Sequence, residues 1–438
     1  MKIATLETSL DALHERWPNL ARREQLDAFQ AIPREQADNF FLDMNSREQL
    51  DLLLALPEGE HRIWLRLLAP DDAADLLQLA TEDRRQTLLS QLDEMARREV
   101  TALLAYKEDE AGGLMSPRFA RLRPEMTIDE AISYLRRQAA QVETIYYAYA
   151  LDDGQHLLGV VSFRDLFSAD RMKTVRDVMR LQVVTVTAET DQEALAKLFA
   201  MHNLLAIPVL DAENRMQGIV TIDDIVDVVR EEDSEDIQKL GGMEALDAPY
   251  LQIGFWRMVQ KRAGWLAILF VGEMLTATAM GYYEQEIARA VVLALFVPLI
   301  ISSGGNSGSQ ATTLVIRAMA VGEVKLRDWW RIIRREFATG LVLGSVLALI
   351  GLTRILLWQA IWKTYGEHYV IIALTVACSL IGVVLFGTIA GSMLPFILRR
   401  LGQDPASASA PFVATLVDVS GLIIYFTIAS VFMRGTLL

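Results

Sequence analysis

The spacing of apolar residues changes twice along the chain. Up to about residue 110 they form short turns, Leu52–Leu56, Leu67–Ala69 and Leu76–Ala80, each closed by a proline or a polar residue. The breaks recur about every 11–13 residues, which predicts a stack of short helices, an all-α superhelical N domain over 1–110. Over 111–232, short β-branched runs around acidic turns take over, such as Ala206–Leu210 and Gly218–Ile222, and predict small α+β units. Residues 233–262 then read as a connecting, plug-like helix, interrupted at Gly241-Gly242 and Pro249. From 263 to 438 long apolar stretches dominate and predict an α-helical membrane domain.

A bilayer core takes roughly 20 apolar residues per helix. Five stretches qualify: Ala263–Met280, Ala290–Ile316, Phe337–Trp362, Tyr369–Leu398 and Pro405–Met433. The second and fourth carry no charge; the first contains Glu273, the third Arg354 and the last Asp418. Basic residues gather between spans two and three (Lys325, Arg327, Arg331, Arg334, Arg335) and between four and five (Arg399, Arg400). The positive-inside rule then places the N-terminal half in the cytoplasm and the C-terminus outside. Met1–Leu20 is mixed and charged without an apolar core, as expected of a chain with no signal peptide.

Two features of the spans point beyond anchoring. Pro298 is followed by a Gly/Ser-rich stretch at 302–310. Such density predicts a broken helix, tolerated at membrane depth only where it is buried or lines a wet cavity. A small-residue seam for helix packing is the competing reading. Asp418 lies about 12 residues into its span, and an ionisable residue there is by default a functional candidate; Glu273 follows the same logic.

Charge sharpens the division. Residues 1–250 hold 47 Asp and Glu against 27 Lys and Arg, and 251–438 hold 9 against 15, for a formal net charge of -14. The contrast excludes a purely soluble enzyme and a purely intramembrane protein. An acidic soluble half also argues against nucleic acid as a partner. Cys378 is the sole cysteine, so no disulfide forms within one chain.

The middle region is duplicated. Leu157–Leu166 matches Met216–Ile225, and Asp152, Gly159 and Asp165 recur as Asp211, Gly218 and Asp224 at a constant offset of 59. Thr127–Ala131 matches Thr190–Ala194 upstream. After the second copy, Asp223–Asp236 is dense in carboxylates. Packed carboxylates raise one another's pKa values unless cations neutralise them; a solvated acidic helix face is the plainer reading. No His/Cys cluster suggests zinc, no Gly-Lys-Ser/Thr loop suggests nucleotide hydrolysis, and no local Ser/His/Asp motif suggests an enzyme.

The duplicated unit resembles a pair of cystathionine-β-synthase (CBS) domains. The whole order, with Gly304–Gln310, Pro411–Gly421, Glu110–Pro117, Glu235–Gly241 and Ile397–Pro405, resembles the MgtE family of bacterial magnesium channels. The resemblance implies a homodimer in the bacterial inner membrane with a pore on its twofold axis. Its pore Mg²⁺ site falls on Asp418, with Pro411, Ala414 and Asn306 beside it and Glu273 as a possible further membrane site. It implies regulatory Mg²⁺ sites at Asp191, Glu193, Asp224, Glu232, Glu235 and Asp236, with Asp71 and Asp75 contributed by the N domain. Some members carry Asp where this chain has Asn203, and Asn where it has Ala410. ATP at the CBS pair is left open, because no residue set decides it.

Mg²⁺ holds an octahedral water shell and loses it reluctantly. A pore passing it hydrated needs a wide ring of acceptors, which two Asp418 carboxylates across a dimer axis and carbonyls freed near Pro411 would supply. On this reading flux is passive and inward, and cytosolic Mg²⁺ closes the pore. Two other readings stay open at this point: a Na⁺- or H⁺-coupled transporter with Glu273 and Asp418 as its coupling pair, and a non-conducting membrane sensor.

Overall fold

The computed structural model describes residues 20–434 apart from 249 and 252, together with 10, 12–14, 16, 17 and 436, and the backbone alone at 35. The break expected at Pro249 lies outside the described residues. The chain divides into two compact units, Met1–Glu232 and Asp233–Leu438.

In the first unit, seven helices open the described part of the N domain: α1 Arg22–Gln30, α2 Arg34–Leu42, α3 Ser46–Ala55, α4 Glu58–Leu65, α5 Pro70–Gln78, α6 Glu82–Gln91 and α7 Glu94–Leu103. Each begins 12 residues after the one before. The same period runs through the core. Phe29, Phe41, Leu53, Leu65, Leu77 and Leu89 are buried, and so are Phe40, Leu52, Trp64, Leu76, Leu88 and Val100. No helix of this length is stable alone. Each buries one face on its neighbours, and the repeat closes into a single continuous core.

The duplicated region forms two three-stranded sheets of identical design. In the first, β1 Arg121–Leu122 lies parallel to β2 Tyr147–Leu151, which pairs antiparallel with β3 Leu157–Ser162. In the second, β4 Val186–Thr187, β5 Ala206–Leu210 and β6 Met216–Thr221 repeat that order. Both carry a register shift at the same place, after Ala150 and after Val209. Helices α8 Ile128–Gln138, α9 Phe163–Ser168, α10 Val175–Val178 and α11 Gln192–His202 complete the pair. The repeated glycines have a steric cause. A Cβ on Gly159 would stand 2.9 Å from the Arg180 carbonyl oxygen, and one on Gly218 would stand 2.7 Å from that of Ser116.

Helix α12, Ile222–Leu240, leaves β6 directly and carries the acidic run. It ends at Gly241-Gly242, where Gly242 adopts φ 71, a left-handed helix stop that favours glycine. The next helix begins at Phe255. The connection over 233–262, expected to be interrupted at Gly241-Gly242, is two helical pieces, because the Gly pair ends the first.

Five helices of the second unit are long and apolar enough to cross a membrane. They are α13 Phe255–Tyr282, α16 Val297–Ala320, α17 Trp329–Trp362, α18 Tyr369–Arg400 and α19 Ala410–Met433, with the short α14 Glu284–Arg289 and α15 Val291–Ala294 before α16. The broken helix expected at 302–310 is absent: α16 runs through it unbroken. Its small residues form a packing seam instead. Cβ atoms on Gly387 and Gly391 would fall 2.4 and 2.2 Å from the carbonyl oxygens of Gly304 and Gly308. The two helices thus meet backbone to backbone, as small residues allow in lipid. Ser307 and Thr388 share a hydrogen bond of 2.8 Å, and the Thr312 hydroxyl donates to the Gly391 carbonyl at 2.7 Å.

Gly391→Val should separate α16 from α18 and lower the unfolding temperature of the full chain in detergent by several degrees, whereas Gly281→Val, where an added side chain meets nothing, should perturb it less. Equal behaviour of the two variants would contradict the seam.

Candidate functional site

Two groups of carboxylates stand out, one in each unit. In the membrane unit, Asp418 lies on α19, half-buried. Pro411, Ala414 and Asp418 follow at intervals of three and four residues and so share one helix face. Glu273, on α13, lies near enough to Asp418 for the two carboxyl groups to interact. The first and last spans meet closely there, since a Cβ on Gly272 would lie 2.8 Å from the Thr415 methyl. Carboxylates this close repel one another when both are ionised, unless a cation or proton stands between them.

The neighbouring α16 is held against the start of α19. Gly305 packs on Ala414, and the Ser309 hydroxyl donates to the Ala410 carbonyl at 3.1 Å. Asn306, beside Gly305, is exposed on the single chain. Pro411 itself frees no helical carbonyl. Pro411 sits in the first turn of α19, where a proline costs no helical bond, and its own carbonyl accepts from the Thr415 hydroxyl at 3.1 Å. Ser409 caps the helix by accepting from the Phe412 amide at 3.3 Å.

In the soluble unit, α5 presents Asp71, Asp72 and Asp75 toward the start of α12. Asp71 is 6% exposed. One oxygen of Asp71 and one of Asp75 are sealed from solvent without a hydrogen-bond partner. Burial drives the Asp71 carboxyl well above its usual range, and the charges of Asp224, Glu143 and Asp72 push it further. Asp75 is raised well above its usual range by burial too, with Glu108, Asp72, Asp224 and Glu231 adding to it. Asp224 is pushed up to about 7 by burial, with Asp223 and Asp72 adding to it and hydrogen bonds from Thr221 opposing. The Thr221 hydroxyl donates to Asp224 at 2.7 Å.

The other expected residues lie apart or are already engaged. Asp191 caps α11, accepting from the amides of Glu193 and Ala194 at 3.0 and 3.2 Å. Glu193 pairs with Lys197 at 2.6 Å, and Glu232 accepts from Gln192 at 2.6 Å. Glu235 pairs with Lys239, and Asp236 lies next to it on α12. Among the described residues, no three His, Cys, Asp or Glu side chains converge as a ready metal site. The donor chemistry nevertheless fits a hard cation. Mg²⁺ commonly keeps its waters and uses only one or two carboxylates, and one oxygen each of Asp71 and Asp75 has no hydrogen-bond partner.

Reading the sequence missed several members. Asp72 lies in the acidic string Pro70–Asp75 and Asp223 opens the run Asp223–Asp236, but nothing in the sequence marks either above its neighbours. Glu143 lies in a polar turn with no local signal. Its carboxylate accepts from the Ser116 hydroxyl at 3.1 Å, a pairing that exists only once the CBS fold has formed.

Comparison with known proteins agrees with this layout. The chain matches the family model of the MgtE intracellular N domain over 11–109, that of the CBS domain over 111–171 and 175–231, and that of the MgtE divalent cation transporter over 297–428. It is 39% identical over 422 residues to the magnesium transporter MgtE of Thermus thermophilus, covering 96% of this chain and 92% of that protein. It is 33% identical to the magnesium transporter MgtE of Bacillus subtilis, covering 88% and 84%. A solved structure described as the cytosolic domain of the Mg²⁺ channel MgtE in complex with ATP is 40% identical, covers 50% of this chain and 90% of that one, and has a TM-score of 0.47.

A carboxyl with a raised folded-state pKa binds its proton more tightly folded than unfolded. Between the unfolded value near 3.8 and the folded value of about 7, stability therefore falls as pH rises. Asp224→Asn keeps an acceptor for Thr221 and removes the charge. Without divalent cations it should raise the unfolding temperature of the full chain at pH 8 by several degrees and change it little at pH 4. An equal effect at both pH values would contradict the assignment.

Proposed function

The chain belongs to the MgtE family of divalent cation transporters, and from that premise we propose that it is a homodimeric Mg²⁺ channel passing the ion inward, down its electrochemical gradient, and closed by cytosolic Mg²⁺. The observation that carries this reading is the meeting of Glu273 and Asp418 at membrane depth, where a cation is the natural counter-charge. Carboxylates inside a bilayer are otherwise expensive. Two copies of Asp418 across a twofold axis give a doubly charged ring wide enough for a hydrated ion, with Ala414 and Asn306 on its wall. The last span then runs outward, with both ends of the soluble unit in the cytoplasm.

The driving force needs no coupled reaction. Moving a divalent ion inward gains about 4.6 kcal/mol per 100 mV, twice the single-charge value. Regulation rests on the soluble carboxylates. Cytosolic Mg²⁺, held through its waters by Asp71, Asp75 and Asp224 and by Asp191, Glu193, Glu232, Glu235 and Asp236, neutralises charges that otherwise repel. α12 then carries the change, because it runs as one helix from the CBS pair to Leu240. The response is a population shift set by the difference in Mg²⁺ affinity between open and closed states.

The test is Mg²⁺ influx into liposomes holding the purified full chain, wild type beside Asp418→Ala. The proposal expects influx in the wild type and a loss of at least about tenfold in the variant, the factor that 1.4 kcal/mol represents. Undiminished influx through Asp418→Ala would remove Asp418 from the pore.

A further inference from the structure

The end of α12 is fastened to the start of the last span by one charged side chain. The Lys239 ammonium lies 2.7 Å from the Asp404 carboxylate, across 165 positions of sequence, and it also contacts Glu235 one turn back on α12. Asp404 is itself structural. Its other oxygen accepts from the Ala406 amide at 2.8 Å and caps the 3-10 turn Pro405–Ser407, which leads to Ser409 and α19. The pair is partly shielded, with side-chain exposures of 28% for Lys239 and 37% for Asp404. Partial burial opposes the charge on Lys239, but the hydrogen bonds to Asp404 and Glu235 outweigh it and hold the ammonium above its ordinary range.

Contacts on either side keep the helix end in place. Leu240 packs on the buried cluster of Ile316, Ala406 and Ala408. A Cβ on Gly242 would stand 2.8 Å from Trp265 and 3.2 Å from Pro411, and the Trp265 indole N–H donates to Ser409 at 3.2 Å. The Leu246 amide donates to Gln238 at 2.6 Å. A helix held this way cannot shift without breaking the Lys239–Asp404 bond or dragging the cap of α19 with it.

We propose that Lys239 is the positioning residue that couples the cytosolic Mg²⁺ signal to the pore, through a bond to Asp404 for which Glu235 competes. This rests on the regulated-channel reading above and adds its transmitting contact. With little cytosolic Mg²⁺, the Glu235 carboxylate draws part of the ammonium's interaction to itself and the bond to Asp404 is weak. When Mg²⁺ is held near Glu235 and Asp236, its charge offsets that attraction and repels the ammonium, leaving Lys239 to Asp404. The start of α19, which bears Pro411, Ala414 and Asp418 on one face, is then clamped. The acidic face of α12 thus senses the ion and the single lysine at its end reports it.

The test compares Lys239→Met, Asp404→Asn and the double variant with wild type, full-length in liposomes, measuring influx as a function of Mg²⁺ on the cytosolic face. Asn at 404 keeps an acceptor for the Ala406 amide, so this variant retains the cap if Lys239→Met fails to fold. The expected result is influx close to wild type at the lowest cytosolic Mg²⁺, with half-inhibition moved roughly five- to tenfold higher in each single variant. The double variant should shift no further than either single one, the signature of one shared interaction. A wild type inhibited by Mg²⁺ whose variants show unchanged half-inhibition, or shifts that add in the double variant, would overturn the role of Lys239 and leave the channel reading standing. A wild type with no inhibition would overturn the regulatory reading and this inference together.

Discussion

A carboxylate withdrawn from water is unstable until a positive charge stands near it, and both units of this chain hold carboxylates in that condition. In the membrane unit, Asp418 and Glu273 face each other from different spans. In the soluble unit, Asp71 and Asp75 each keep one oxygen sealed from solvent without a hydrogen-bond partner. The surrounding structure follows from this constraint. The 12-residue superhelix supplies a rigid stage that holds α5 in place, and the CBS pair fixes the start of α12 opposite it. The Gly/Ser seam lets α16 and α18 approach closely enough to support α19.

The two groups differ in their means of relief. The soluble carboxylates include one, Asp224, that titrates near neutrality, so protons and cations compete for it across the physiological range. Divalent cations suit such a group, because a hydrated Mg²⁺ can satisfy several acceptors at once without stripping its shell. On the proposed reading, a passing ion is the compensating charge of the membrane carboxylates. On the proposed reading a single ion species serves as cargo in one unit and as signal in the other; α12 itself is one helix from Ile222 to Leu240.

Much of this was legible in the chain. The apolar breaks foretold the superhelix, whose true period of 12 appears once helix starts and buried positions are aligned. The duplication announced the CBS pair down to its two repeated glycines, and the five apolar stretches announced the spans. At 302–310 the sequence predicts a broken backbone where the structure has a continuous helix. Gly and Ser break helices in water, but between packed membrane helices their small size matters more, and α16 stays continuous. The pairing of Lys239 with Asp404 had no local sign. Each lies in a recognisable motif, yet only the folded unit brings them together. The cluster around Asp71 was half legible, because spacing along one helix groups Asp71 with Asp75 while Glu143 arrives from a distant turn.

The most direct test of the central claim is Mg²⁺ flux through the purified full chain in liposomes under an imposed membrane potential, with no Na⁺ or pH gradient. A passive pore built on Asp418 predicts inward flux that grows with an inside-negative potential, falls when the potential is reversed, and is unchanged by adding a Na⁺ or proton gradient at constant voltage. Flux that appears only with such a gradient would contradict the account and make Glu273 and Asp418 the coupling pair of a transporter.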